Sequence, residues 1–289
     1  VLRPHIMDQE SAANLWKTSF DNRVQYQTTT NTVRFNSADG NVHYGAYPGN
    51  GNWLGDASEY STYNRVLAGY EKQRVNSYMA AKYGITLQQA TATDYFASDC
   101  PDATCSTGTK IWNATTANVS GTKYDDDITV IGRDDASLLT QKQSKSINTS
   151  SLVAVSHGTN FAATNDTNTT EFDADKSFLA IASENSNATS WTVTGAPTDR
   201  RILNRKYQSQ ETGTVGQVRI QIPDDSSTLT SKLPIEASKV YLLTKAADAN
   251  FTTGSTETLM TKVGTNWEAT IDMPAGTSYF TFATQSAPT

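Results

Sequence analysis

Tyr63-Asn-Arg-Val-Leu-Ala-Gly-Tyr-Glu-Lys-Gln-Arg-Val-Asn-Ser-Tyr-Met-Ala-Ala-Lys-Tyr-Gly-Ile-Thr-Leu87 is the stretch whose reading decides the fold. It reads as the one helix of several turns in a chain otherwise made of strand-like segments. At about 100° per residue, Leu67, Tyr70, Val75, Tyr78, Met79 and Ala81 fall on one broad arc, while Gln73, Asn76 and Ser77 face away. Glu71 and Arg74 stand three apart, a spacing that lets them pair on the surface for about 0.2–0.5 kcal/mol. Gly84 follows Tyr83 where a left-handed residue closes a helix, and Ile85 can fold back onto the last turn. A single amphipathic helix among strands has to cover a sheet. The expected fold class is therefore mainly β: an antiparallel β-sandwich with one prominent amphipathic helix packed on it.

Working outward, Gln88–Gly121 reads as a loop-rich bridge with one short strand, Thr109–Trp112. From Lys123 onward strand-like segments recur at sandwich spacing, among them Ile128–Ile131, Leu138–Ile147, Leu152–His157, Ser177–Ala182, Ile202–Gln208, Gly216–Ile222, Val240–Thr244, Trp267–Asp272 and Ser278–Thr284. Gly213-Thr-Val-Gly216 reads as a hairpin-like turn. Upstream, Asp8–Phe20 is a short helical candidate with Leu15, Trp16 and Phe20 as its apolar members. Strand-like patterns follow at Arg23–Phe35 and Val42–Tyr44, with a turn at Asp39-Gly40-Asn41. Ala57–Tyr63 reads as a strand feeding the helix. The expected organisation is a β segment at 1–66, the helix at 67–87, the bridge at 88–122 and a C-terminal sandwich at 123–289.

The composition is polar, 18% charged, with a net charge of −6. No Lys/Arg stripe exists to neutralise nucleic-acid phosphates, and the charge disfavours anionic membranes. No apolar run of about 18 residues is present to span a bilayer. Cys100 and Cys105 are the only cysteines. No second pair or nearby histidine completes a zinc site, so a short disulfide pinning a loop is expected, and it points to an oxidising compartment.

Carboxylates are the main candidates for chemistry. Asp125-Asp126-Asp127 and Asp134-Asp135 flank Ile128–Ile131, and Asp173 and Asp175 alternate before the strand at Ser177. Their oxygens suit Ca²⁺, the one cofactor expected, and solvated turn aspartates are the alternative reading. A glycosidase needs two facing acids, and no acid in the sequence stands out for that role. His5, His43 and His157 are isolated from any nucleophile or metal motif. Tyr44, Tyr47, Trp53 and Trp112, near loops, are candidates for stacking on sugars.

Tyr63-Asn-Arg-Val-Leu, Glu71-Lys-Gln-Arg-Val-Asn-Ser-Tyr and Lys82-Tyr-Gly-Ile-Thr-Leu resemble the junction that follows a LamG-like jelly roll in large bacterial surface proteins. The resemblance continues through Asp94-Tyr-Phe-Ala-Ser-Asp, Ile111-Trp-Asn-Ala, Asp127-Ile-Thr-Val-Ile-Gly-Arg-Asp-Asp-Ala-Ser, Gln210-Glu-Thr-Gly-Thr-Val-Gly and Tyr279-Phe-Thr-Phe-Ala. Similar segments form the split scaffold domain of RTX adhesins, interrupted in sequence by an inserted ligand-binding domain. The resemblance implies a non-enzymatic module on the bacterial cell surface. Its partners would be neighbouring domains of one long chain, and cell-surface glycans or peptides. A lectin-like carbohydrate-binding domain is the competing expectation, and a polysaccharide-active enzyme the third. Three positions depart from the pattern. Ala68 stands where a Ser or Thr opens the helix, which should remove the capping box. The cysteine pair replaces an Asp-Gly turn, and Tyr207 replaces a core Trp.

Overall fold

A computed structural model describes residues 3–30, 55–88, 93–184, 191–193, 200–224 and 237–286. The strand and turn expected at Val42–Tyr44 and Asp39–Asn41, together with His43, Tyr44, Tyr47 and Trp53, lie outside them. In chain order the elements are β1 (Met7–Ala12), β2 (Leu15–Phe20), β3 (Arg23–Thr28), α1 (Gly69–Tyr83), β4 (Tyr95–Phe96), β5 (Lys110–Trp112), β6 (Asn118–Val119) and β7 (Thr122–Asp134). There follow β8 (Leu139–Gln141), β9 (Gln143–Lys145), β10 (Ala154–His157), β11 (Ser177–Glu184), β12 (Trp191–Val193), β13 (Arg200–Leu203), β14 (Tyr207–Thr212) and β15 (Gln217–Pro223). The last are β16 (Ala237–Lys245), β17 (Thr256–Leu259), β18 (Thr261–Val263), β19 (Asn266–Asp272) and β20 (Gly276–Ser286).

The fold is mainly β with one helix, as the composition and spacing imply. Two sheets dominate. The smaller runs β18-β19-β15-β10-β9, and the larger β12-β13-β20-β14-β11-β7-β6, with β16 and β17 added along β20 and β8 along β7. All pairings are antiparallel. Period-two alternation sorts the large sheet's side chains between two cores. Leu179 and Ile181 of β11, Tyr207 of β14 and Phe280 and Phe282 of β20 meet Val155, Val218, Ile220 and Ala269 of the small sheet. Phe178, Ala180 and Ala182, with Ile128, Val130 and Tyr279, point the other way. They meet Ala80 and Ala81 of α1 and Tyr95, Ile111 and Trp112 of the bridge. The bridge is thus part of the core layer, with Trp112 completely buried.

The helix docks where expected, but through a different face. Asn76, Ser77, Ala80 and Ala81 are its buried residues, while Val75, Tyr78 and Met79 are only half-buried. The reason lies in what faces it, for that surface offers backbone polar groups as well as apolar side chains. Ser77 Oγ accepts the Phe96 N–H at 2.9 Å, Asn76 Nδ2 donates to Asn22 Oδ1 at 3.1 Å, and the Gln73 side-chain amide donates to the Asp94 carbonyl. Arg74 donates to the Ser98 carbonyl at 2.7 Å, and Lys72 reaches Asp8 and Glu10 at 2.7 and 2.6 Å. At the N-terminus Ala68 removes only half of the capping box, because an alanine side chain accepts nothing. Glu71 still takes the Ala68 N–H at 2.8 Å. Glu71 pairs with Arg65, at 2.5 and 2.6 Å, instead of with Arg74.

Three expectations upstream and downstream are corrected. Asp8–Phe20 is the β1–β2 hairpin, in register from Met7↔Phe20 to Ala12↔Leu15, with Asn14 at φ 60° supplying the turn. Ala57–Tyr63 forms no strand; this segment lies on the helix end through Glu59, which accepts from Lys82 Nζ at 2.9 Å and Tyr83 Oη at 3.2 Å. Gly213–Gly216 is no hairpin, because β14 and β15 belong to different sheets and the segment crosses between them.

Gly84 closes α1 in the left-handed conformation at φ 66°, and its carbonyl accepts the Ile147 N–H at 3.0 Å. A Cβ there would run into the Lys145 carbonyl, whereas one at Gly69 would meet nothing. Gly84→Ala should therefore lower the unfolding free energy by more than about 1 kcal/mol. Gly69→Ala should leave it unchanged or raise it by up to about 0.5 kcal/mol. Chemical denaturation of the two variants checks this, and equal effects would contradict the cap.

Candidate functional site

The acids that flank Ile128–Ile131 lie along β7, which is longer than the short strand expected: Asp125–Asp127 are within it, Asp134 ends it and Asp135 follows it. From Asp126 to Asp134 the strand climbs eight residues, on the order of 26 Å at strand rise, so the two groups do not meet.

At the first end the ladder between β7 and β11 shifts register, and Asp127 takes φ 53°. Aspartate enters this region more readily than most residues, and Asp126 Oδ1 accepts the Asp127 N–H at 3.0 Å. The bulge turns the Asp127 carboxylate into the interior. There it accepts from Ser150 Oγ at 2.9 Å and Ser183 Oγ at 3.3 Å, and faces Arg205 at 3.4 Å. Arg205 and Asp127 are both almost wholly buried. Asn148 donates to Asp126 at 3.2 Å. Asp125 is buried as well, and neither oxygen has a hydrogen-bond partner among the other described residues. Burial pushes the Asp125 and Asp127 carboxyls up, and the neighbouring Asp126 charge adds to both.

At the second end Asp134, Asp135 and Asp175 do converge, around basic side chains of the chain itself. Asp134 is held by Lys176 Nζ at 2.6 Å and by the N–H and Oγ of Ser98 at 2.8 and 2.6 Å. Burial alone would raise its carboxyl, but the Lys176 and Ser98 hydrogen bonds outweigh that and hold it low. Arg133 forks onto Asp135 at 2.6 and 2.9 Å. Asp175 accepts the Asp135 N–H at 2.8 Å. Asp173 is exposed. Among the described residues no set of three or more His, Cys, Asp or Glu side chains is placed to hold a metal ion. At Asp127, Asp134, Asp135 and Asp175, hydroxyl, ammonium, guanidinium and backbone N–H groups already engage carboxylate oxygens that Ca²⁺ would use.

Cys100 and Cys105 form the expected disulfide. It packs with Phe96 against Tyr70 of α1, fastening the bridge to the helix start, and Asp102 inside the loop accepts Thr104 N–H at 2.8 Å. His157 is buried, stacked on Phe172 at 4.0 Å, with Nε2 2.9 Å from the Val215 carbonyl. Burial pushes its imidazole below the usual range. His5 pairs with Asp21 at 2.7 Å. Trp112 is core and presents no face to a sugar. Sequence reasoning missed Arg205, Lys176, Ser150 and Ser183. Only Arg205 carried a signal, as a charged residue inside the strand-like segment Ile202–Gln208. No helix among the described residues is long and apolar enough to cross a membrane.

Asp125 binds its proton more tightly folded than unfolded, so the native state holds more protons above the unfolded pKa and stability falls as pH rises through the folded value. Asp125→Asn should flatten that fall, gaining on the wild type as pH rises above the unfolded carboxyl value of about 4 and converging with it below that value. Melting curves across pH check it, and a parallel offset at every pH would contradict it. Lys176→Met strands the nearly buried Asp134, and breaking such a pair costs about 3 kcal/mol. Adding Asp134→Asn should recover part of the loss. The wild-type melt should be the same in EDTA and in millimolar Ca²⁺; a rise with Ca²⁺ would mean that the ion displaces Lys176.

Residues 71–277 match the family described as Domain of unknown function (DUF8202), which is well over half of the chain. No curated protein and no solved structure matches.

Proposed function

The chain belongs to the DUF8202 family, and from that premise we propose that it is a non-enzymatic extracellular module of a large bacterial adhesin. In this reading it holds and spaces a ligand-binding domain carried by the same long chain at the cell surface. The observation that carries the reading is the double-faced large sheet, which locks helix, bridge and small sheet into one layered body. Such a body suits a load-bearing spacer. The disulfide supports an oxidising location, and the acids are engaged in ion pairs internal to the fold. The segments that resemble the RTX split domain lie at its centre: Asp127–Ser137 spans most of β7, and Tyr279–Ala283 supplies residues to both cores.

Antibodies raised against the folded chain should label intact bacteria that make the parent protein, and deleting the module should reduce attachment. Labelling that requires permeabilised cells, or two alkylatable thiols in native protein, would overturn the surface assignment. A lectin-like domain is the second reading, favoured by the cleft of about 210 Å³ that Tyr124, Tyr279, Lys206 and the turn at 247–250 line. Glycan-array binding of the isolated chain separates it from a pure spacer.

A further inference from the structure

We propose that the crossover Gly213–Gly216, which carries the chain from the large sheet to the small one, is a latch closed on His157 and opened by protonation of that residue. His157 ends β10 on the inner face of the small sheet, paired with Val218 of β15. Its Nε2 lies 2.9 Å from the Val215 carbonyl. A carbonyl only accepts, so Nε2 carries the proton and Nδ1 is the bare nitrogen. Nδ1 is buried, with no hydrogen-bond partner among the described residues. Phe172 covers the ring at 4.0 Å.

Val215 is the point at which the crossover is fastened. Its side chain is buried between the sheets, and its peptide is gripped on both sides. The Val215 N–H donates to Glu211 Oε1 at 2.8 Å, and the carbonyl takes the His157 N–H. The Thr214 N–H adds only a long bond, 3.4 Å, to Ser177 Oγ. Glycines in the left-handed conformation bound the segment, Gly213 at φ 71° and Gly216 at φ 72°, and supply its pivots.

Charge decides the direction of the response. A proton on Nδ1 places a charged ring, and a donor without an acceptor, in the core, and both are costly. The nearby carboxylates do not offset this. Glu171 is paired with Lys142, whose ammonium also donates to the Asn168 carbonyl at 3.0 Å, and Asp173 is exposed. From β7, Arg133 brings a further positive charge, donating to the Phe172 carbonyl at 3.1 Å. Arg219 of β15 is on the sheet's other face, paired with Glu268 at 2.8 Å. Burial accordingly pushes the imidazole below its usual range, outweighing the attraction of Asp173 and Glu171. Glu211 acts in the opposite sense, since burial holds its carboxyl above the usual range and proton uptake there favours the closed form. His157 is therefore the group that drives opening. Once the crossover swings out, water reaches Nδ1 and the ring takes up its proton at about pH 6.5. The opening equilibrium rises about tenfold for each pH unit below that value, until the closed form is protonated as well.

Amide exchange followed by NMR between about pH 7.5 and 5 tests this. The Val215 amide should exchange through an opening of lower free energy than that of Val218–Ile222 and nearly independent of denaturant. Its protection factor should fall about tenfold per pH unit below about pH 6.5. His157→Gln, whose side-chain amide can donate to the same carbonyl but takes up no proton, should remove that pH dependence. The same pH dependence in the variant would overturn the proposal. So would a Val215 amide that shares the opening free energy and denaturant dependence of Val218–Ile222 throughout the range. NMR titration of the wild-type imidazole needs no variant: a ring that becomes charged while Val215 protection stays constant would also overturn it.

Discussion

The rest of the structure depends on β11 having no solvent face. Its run Phe178-Leu-Ala-Ile-Ala182 puts apolar side chains on both sides of the sheet, and every one of them is buried. An antiparallel sheet usually leaves one face to water and shows it as alternating polarity. Here both faces need a cover. The small sheet supplies one, and the helix together with the bridge supplies the other. Removing either cover would expose a row of aromatic and aliphatic side chains along β7, β11 and β20.

The second cover is held differently from the first. Between the sheets the contacts are almost wholly apolar, and on the large sheet's inner face Tyr207 stacks on its cross-strand neighbour Phe280 at 4.9 Å. The substitution of Tyr for the Trp of the resembling family is therefore accommodated in the core. Over the helix, hydrogen bonds set the register. Ser77 satisfies the amide of Phe96, Thr86 Oγ1 accepts the Ile128 N–H at 3.0 Å, and Tyr95 Oη accepts the Leu87 N–H at 2.8 Å. Buried backbone groups left unpaired cost more than a made bond contributes. The hydroxyls of Ser77, Thr86 and Tyr95 thus specify one docking position, where Ala80 and Ala81 alone would permit sliding.

This division explains what the sequence could be read for. The strands from Ser177 to Thr284 were legible because their apolar residues are β-branched or aromatic and bounded by turn residues. The helix and its Gly84 stop were legible too. Its buried face was not, because periodicity assigns polar residues to solvent and Asn76 and Ser77 are buried as hydrogen-bonding groups. Leu15, Trp16 and Phe20 misled for a related reason. Their spacing of one, four and five mimics a helical stripe, and the hairpin before them turns on Ala13-Asn14 without a glycine. At the acids, sequence located every carboxylate but not its partner. Lys176, Arg205 and Ser98 reach them from 36 to 78 residues away, and only the strand pairing brings those positions together.

The central claim is that the two covers and the large sheet are one cooperative body. Native-state hydrogen exchange measures it directly, through the Phe96 amide held by Ser77 and the amides of Val218–Ile222 in the small sheet. The account predicts that both sets exchange only by global unfolding, with the same opening free energy and the same denaturant dependence. Exchange of the Phe96 amide through a separate, low-energy opening, while β15 stays protected, would contradict it.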